Sequence, residues 1–184
     1  MMACLIVVAI LLVDQIIKIW VKTHMSIGED IKIADWFYIS FVENNGMAYG
    51  ITFINKMVLS LLRIVAVCFI GIYIHRLSKR KASWGYIACL SMVMAGAAGN
   101  IFDSVFYGLC FSESTFYSVA SYVGFGNGYS SFLTGKVVDM FYFPIIRTVY
   151  PAWAPFKAGE PFIFFSPIFN FADACISVGV VALL

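Results

Sequence analysis

Seven polar residues stand in otherwise apolar runs of this 184-residue chain: Asp14, Lys18, Arg63, Asn100, Asp103, Asn170 and Asp173. An ionisable group at a bilayer centre costs about 2.5–3.5 kcal/mol on insertion scales, while one Leu or Ile returns only about 0.3–0.6. Residues that expensive need a task. Asp14 and Lys18 are four apart, share a helix face and can pair. The plain reading of that pair is an ion pair that eases insertion, with Lys18 snorkelling outward. Asn100 and Asp103 are three apart, as are Asn170 and Asp173, so each amide points nearly the same way as its carboxylate. A further carboxylate, Asp139, sits in "GKVVDMFYF" (135–143), a run apolar enough for the membrane boundary and its low dielectric.

Two carboxylates within about 3 Å cannot both ionise, so a shared proton leaves one as base and one as acid near neutral pH. Such a pair can activate a water against a peptide carbonyl and protonate the departing amine. The chain has no GxSxG or HExxH motif, and neither His24 nor His75 has a Ser or Cys nucleophile as partner. Aspartyl hydrolysis is therefore the enzyme chemistry these residues favour. Buried carboxylates also mark proton paths, which leaves a small proton-coupled transporter or a non-catalytic assembly subunit open.

The elements that must carry these residues are membrane helices. The chain is 62% hydrophobic and 12% charged, against about a quarter charged in a soluble domain, and a water-soluble fold is excluded on that ground. Four stretches approach the roughly 20 apolar residues a span requires: about 2–22, 57–76, 85–108 and 163–184. The first could be a cleaved signal peptide, but it lacks a basic start and carries Asp14 and Lys18. Arg76, Lys79, Arg80 and Lys81 make the turn at 77–84 the cytoplasmic one. Both termini then face the cytoplasm, and segments 23–56 and 109–162 face the other side. The polar residues fall in the outward half of each span, which implies a shared wet site. The chain's end at Leu184, with no basic flank after the last span, suggests a shortened C-terminus.

Segment 30–50 approximates an alternating pattern through Ile31, Ile33, Trp36, Tyr38 and Phe41, and predicts two short strands on the membrane surface. Segment 109–162, rich in Phe, Tyr, Ser and Gly, predicts an interfacial anchor in preference to a direct substrate contact. "AGAAG" (95–99) predicts close helix packing. The five cysteines read as apolar fillers, and no Cys/His spacing suggests a metal or cofactor. A net charge of +2 is too small and scattered for nucleic acid.

Five motifs in order give the chain its resemblance to the lipoprotein signal peptidase (signal peptidase II) family. They are D-x-x-x-K at Asp14 and Lys18, "NNGMAYG" with Asn44, Gly46 and Ala48, "GAAGNIFD" from Gly96 to Asp103, "VVD" from Val137 to Asp139, and "FNFAD" from Phe169 to Asp173. The resemblance implies an α-helical polytopic membrane protein with four transmembrane helices, a small periplasmic β-cradle and a periplasmic helix/loop insertion, in which part of segment 109–162 supplies a helix over the active site. It implies a bacterial inner-membrane aspartyl endopeptidase that cuts prolipoproteins before a diacylglyceryl-modified cysteine. Asp139 and Asp173 would be the catalytic dyad near the periplasmic face. Asn44, Gly46, Asn100, Asp103, Asn170 and Ala172 would line or brace the pocket, with Asp14 and Lys18 supporting it. Membrane lipids, the lipidated substrate and globomycin-type lipopeptides are the implied partners; no cofactor is implied, and the chain is expected to act as a monomer.

Two departures stand out. The family carries an Arg directly after the third-span Asp where this chain has Ser104, and Arg63 is the cation expected to replace it. About 35 residues separate Asp103 from Asp139, where the family has only a few. That insertion must be an excursion whose ends return together, which loop-closure entropy allows at about 0.6 kcal/mol per doubling of length.

Overall fold

The structure, a computed structural model, describes residues 2–45, 56–153, 155, 157 and 159–184. Three apolar helices form its frame: α1 (Met2–His24), α2 (Lys56–Lys79) and α3 (Trp84–Phe102). A π-helical turn, Asp103–Tyr107, and the short α4, Gly108–Cys110, prolong α3. The runs Met2–His24, Lys56–Lys79 and Trp84–Cys110 are each long and apolar enough to cross a membrane. Their outer faces expose Leu12, Ile16, Leu62 and Phe69, the side chains a lipid-facing surface requires.

The fourth helix starts later than the sequence predicts. Residues 163–184 read as one span, yet α5 runs only Phe171–Leu183, and two strands, β5 (Pro161–Phe164) and β6 (Ile168–Phe169), precede it. Pro167 disfavours helix there because it has no N–H to give. Ile168 and Phe169 instead pair with Tyr142 and Phe141 of β3 (Val137–Tyr142).

The predicted strands around 30–50 are β1 (Asp30–Ala34) and β2 (Phe37–Asn44). They belong to an antiparallel sheet of order β1-β2-β3-β6 among the described residues. Its two inner strands thus come from segments about 95 residues apart, with Val42 opposite Asp139 and Glu43 opposite Val138. A bulge between Ile39 and Val42 shifts the register beside Asp139, and bulges re-aim side chains in this way. Strand β4 (Ile146–Val149) pairs only with β5, as a separate hairpin.

The sheet rests on the ends of α1 and α3 through a core of Val21, Met25, Phe41, Tyr107, Phe111, Val138 and Met140. The small-residue stretch of α3 packs as predicted. A Cβ added at Gly96 would come within 2.3 Å of the Ala172 carbonyl, and one at Gly99 within 2.7 Å of Asp14 Oδ2. Only glycine permits that approach of α3 to α5 and α1.

The predicted helix over the site is corrected. Described residues of 111–162 carry strands, turns and loops, and none is helical. The physical reason is local: Gly124 and Gly126 adopt φ of 85° and 88°, which no right-handed helix contains. The insertion does return on itself, because the Gly135 N–H donates to the Ser104 carbonyl at 3.0 Å. Gly128 and Gly135 let its backbone lie directly on that of Gly108 and Asp103.

Candidate active site

Asn170 organises the site from the start of α5. Its Oδ1 accepts the Asp173 N–H at 2.9 Å, and Asp173 Oδ2 accepts the Asn170 N–H at 3.4 Å, a reciprocal cap. That use of Oδ1 fixes the orientation of the amide, so Nδ2 faces away from the helix. It donates to Asp139 Oδ1 at 2.7 Å and to Asn100 Oδ1 at 3.1 Å. One residue therefore holds both candidate carboxylates, Asp139 through its side-chain amide and Asp173 through its backbone N–H. Asn100 works in parallel: its Oδ1 accepts from Lys18 Nζ at 2.9 Å, which leaves Nδ2 to donate to Asp173 Oδ1 at 2.8 Å.

Asp139, on β3, is 4% exposed and also accepts from Asn44 Nδ2 at 3.2 Å. Burial first, and the negative charge of Asp173 second, push its carboxyl up to about 7 against the pull of the two amides and Lys18. Asp173 is only half-buried and occupies the first turn of α5, where the helix dipole favours negative charge. The two environments are thus unlike: Asp139 is buried on a strand, and Asp173 is half-buried at the start of a helix.

Beneath them lies a second layer around Lys18, whose Nζ meets Asp14 at 3.0 Å and Asp103 at 2.8 Å, all three fully buried. Each of these carboxylates has an oxygen engaged with backbone. Asp14 Oδ1 accepts the N–H of Ala172 at 3.0 Å, and Asp103 Oδ2 accepts the N–H of Val138 at 3.3 Å. Those donors are the residues immediately before Asp173 and Asp139. Lys18 therefore staples together the two backbones that carry Asp139 and Asp173, and the π-turn that begins at Asp103 fits the habit of such turns to occur at functional sites.

Comparison with known proteins agrees with this geometry. The model of the Signal peptidase (SPase) II family matches residues 6–184. The chain belongs to that family. It is an aspartic endopeptidase of the signal peptidase II type, a membrane protease, and the transporter and assembly-subunit readings fall with that membership. The lipoprotein signal peptidase of Porphyromonas gingivalis is 51% identical over 179 residues, 97% of this chain and 79% of that one. That of Amoebophilus asiaticus is 34% identical, covering 91% and 70%. A bacterial membrane enzyme solved by the in meso method at 1.9 Å resolution aligns with TM-score 0.63 and 25% identity over 99% of this chain and 89% of that one.

Among the family's motif residues, Asn44, Asn100, Asp103, Asp139, Asn170 and Asp173 lie in one hydrogen-bonded cluster. Gly46 and Ala48 lie outside the described residues. Ala172 is fully buried against Gly99 and serves the site through its backbone. Ser104, in place of the family's Arg, is also buried, and its hydroxyl donates to the Asn100 carbonyl at 3.0 Å. Arg63 is half-buried on α2, and the negative charges acting on it are Asp173, Asp139 and Asp103 in that order. The plain snorkelling reading of Lys18 is corrected, since its ammonium is buried between two carboxylates.

Gln15 was not singled out in sequence, yet its Nε2 donates to Asp103 Oδ1 at 2.9 Å and to Asp14 at 3.1 Å, while Tyr107 donates to its Oε1 at 3.0 Å. A neutral amide beside Asp14 carries no cost large enough to draw attention. Lys22 and Glu43 were missed as well; both are charged residues at segment ends, where exposure is the default expectation.

Proposed function

We propose that this chain removes the signal peptide from diacylglyceryl-modified prolipoproteins, cutting the bond before the lipidated cysteine, with Asp139 and Asp173 as the catalytic dyad. The observation that carries the reading is the Asn170 side chain, which caps α5 at Asp173 and donates to Asp139 from the same amide. The substrate class comes from the relatives, whose name is lipoprotein signal peptidase. In this reading the chain sits in the bacterial inner membrane with both termini cytoplasmic and the dyad near the periplasmic face, and it acts as a monomer. The signal helix enters laterally from lipid, and the diacylglyceryl chains remain in the bilayer or in a groove between helices. Globomycin-type lipopeptides would occupy the dyad.

At rest Asp139, its carboxyl pushed up to about 7, carries the proton that the dyad shares. Asp173 takes a proton from the attacking water as its oxygen adds to the scissile carbonyl. Asp139 then gives its proton to the cysteine nitrogen as the C–N bond breaks, and the signal peptide leaves as a new carboxylate. Asn170 has both ends of its amide engaged and so positions the pair. Asn44 holds the peptide backbone or the tetrahedral oxyanion. Arg63 supplies the positive charge that Ser104 cannot. The Lys18 layer keeps both aspartates in register, with Asn100 and Ala172 as braces.

The test is a gel-shift assay on a lipidated prolipoprotein with purified enzyme. Asp139→Asn and Asp173→Asn are expected to abolish cleavage while expression and membrane insertion persist; processing near the wild-type rate by either variant refutes the dyad. Arg63→Ala is expected to lower turnover, and full activity in a folded Arg63→Ala enzyme removes Arg63 from the site.

A further inference from the structure

The β4–β5 hairpin is the part of the molecule with least to hold it. Two strands in isolation are marginal in water. All four residues of β4 are exposed, as are three of the four in β5. The cross-strand pair Ile146 and Phe164 lies on one face, and Ile163 with Val149 lies on the other, so both faces are apolar. Trp153, in the connection between the strands, is 84% exposed. A ribbon of that composition in water would be an aggregation site.

Its ends say where it lies. The hairpin joins β3, which carries Asp139, to β6, which leads into Asn170 and α5. Phe143 at one end and Phe165 at the other both pack on Phe169, at 5.7 and 6.0 Å between ring centroids. Phe169 directly precedes the cap of α5, so the hairpin leaves the protein at the level where an apolar helix begins. Its exposed aliphatic and aromatic side chains, Ile146, Val149, Ile163 and Phe164, are of the same kind as those exposed along α1 and α2. Arg147, stacked over the Tyr38 ring at 4.9 Å, and Trp153 form the cationic and aromatic mixture that suits a headgroup boundary. The ribbon's unpaired outer edges bar it from the hydrocarbon centre, where no water can satisfy them.

We propose that the β4–β5 hairpin is a lipid-inserted arm: it lies in the headgroup and upper acyl zone of the leaflet on the dyad's side, with phospholipid acyl chains covering its apolar faces. It anchors the sheet carrying Asp139 at the depth where a diacylglyceryl-modified cysteine presents its peptide bond. That consequence rests on the proposed function; the depth of the hairpin does not.

The test uses the full chain in phosphatidylcholine and phosphatidylglycerol vesicles without substrate, and reads the fluorescence difference between wild type and Trp153→Phe. Lipids brominated a few carbons below the carbonyls are expected to quench the Trp153 component, and aqueous iodide to leave it largely unquenched. Ile163→Glu is expected to raise iodide quenching of Trp153 on the order of fivefold by lifting the hairpin into water. Ile163→Leu is expected to leave quenching unchanged, which separates lost apolarity from a misfolded hairpin. Free access of iodide to wild-type Trp153 overturns the proposal. Bromolipid quenching replaced by protection at high protein-to-lipid ratio assigns the face to a second copy, and protection that appears only with added prolipoprotein assigns it to substrate; either result overturns the lipid assignment. Because no cleavage is read, failure here is distinct from failure of the proposed reaction.

Discussion

Lys18 and Lys22 sit one turn apart on α1 and are equally buried, yet they hold different things. Lys18 meets two carboxylates and the Asn100 amide, and through them the backbones just before Asp139 and Asp173. Lys22 meets one carboxylate, Glu43, at 2.5 Å, together with Ser114 Oγ at 3.0 Å and the ring of Tyr129 at 5.0 Å. Glu43 in turn faces Lys136 at 3.3 Å. Those partners, apart from Glu43, belong to the insertion. One lysine aligns the proposed dyad and the other fastens the long excursion to α1 and β2. Burial of a cation is thus not a signature of catalysis by itself; the group at the far end of its hydrogen-bond network decides.

Substitutions can break that comparison at either end. Below the dyad variants, the largest effect is expected from Lys18→Met, which leaves Asp14 and Asp103 buried without their cation. Breaking a buried pair costs about 3–5 kcal/mol, and cleavage should fall with it, read as thermal stability in detergent and as gel-shift rate. Retained activity in a folded Lys18→Met enzyme would remove the staple from the mechanism.

Lys22→Met should cost less, roughly 2 kcal/mol, because Lys136 and Ser114 still face Glu43. Its signature is protease sensitivity in 112–136 with cleavage largely preserved, and Glu43→Gln in the same chain should restore protection. Loss of activity as complete as in Lys18→Met would erase the distinction drawn here.

The smallest effect is a slope with pH. Asp139 binds its proton more tightly folded than unfolded, so its contribution to stability is full below about 4 and is lost as pH rises through about 7. Thermal denaturation of wild type should show that decline, and Asp139→Asn should flatten it. An unchanged slope in Asp139→Asn assigns the decline to other groups. Cleavage should fall over the upper part of the same window, as the acid loses its proton.

Much of the site was legible because its residues come in helical pairs. Asp14 with Lys18, Asn100 with Asp103 and Asn170 with Asp173 are three or four apart, and that spacing alone sets a common face on any helix. The cost of a charge in lipid singled them out. Lys22, Glu43 and Gln15 carried no such signal, being at segment ends or neutral. Residues before α5 read as part of a span because hydropathy does not distinguish an apolar strand from a helix; Phe162 to Phe169 are as apolar as a span but pair with another strand or lie beside Pro167.

Spacing within one segment was enough to mark α1, α2 and α3, the small-residue contact at Gly96 and Gly99, and which polar side chains share a face. Tertiary structure alone decided that Val42 faces Asp139, that Gly135 returns to Ser104, and that Asn170 reaches across to β3. Those pairings join segments 31 to 97 residues apart, and no local periodicity encodes which distant backbone will close a hydrogen bond.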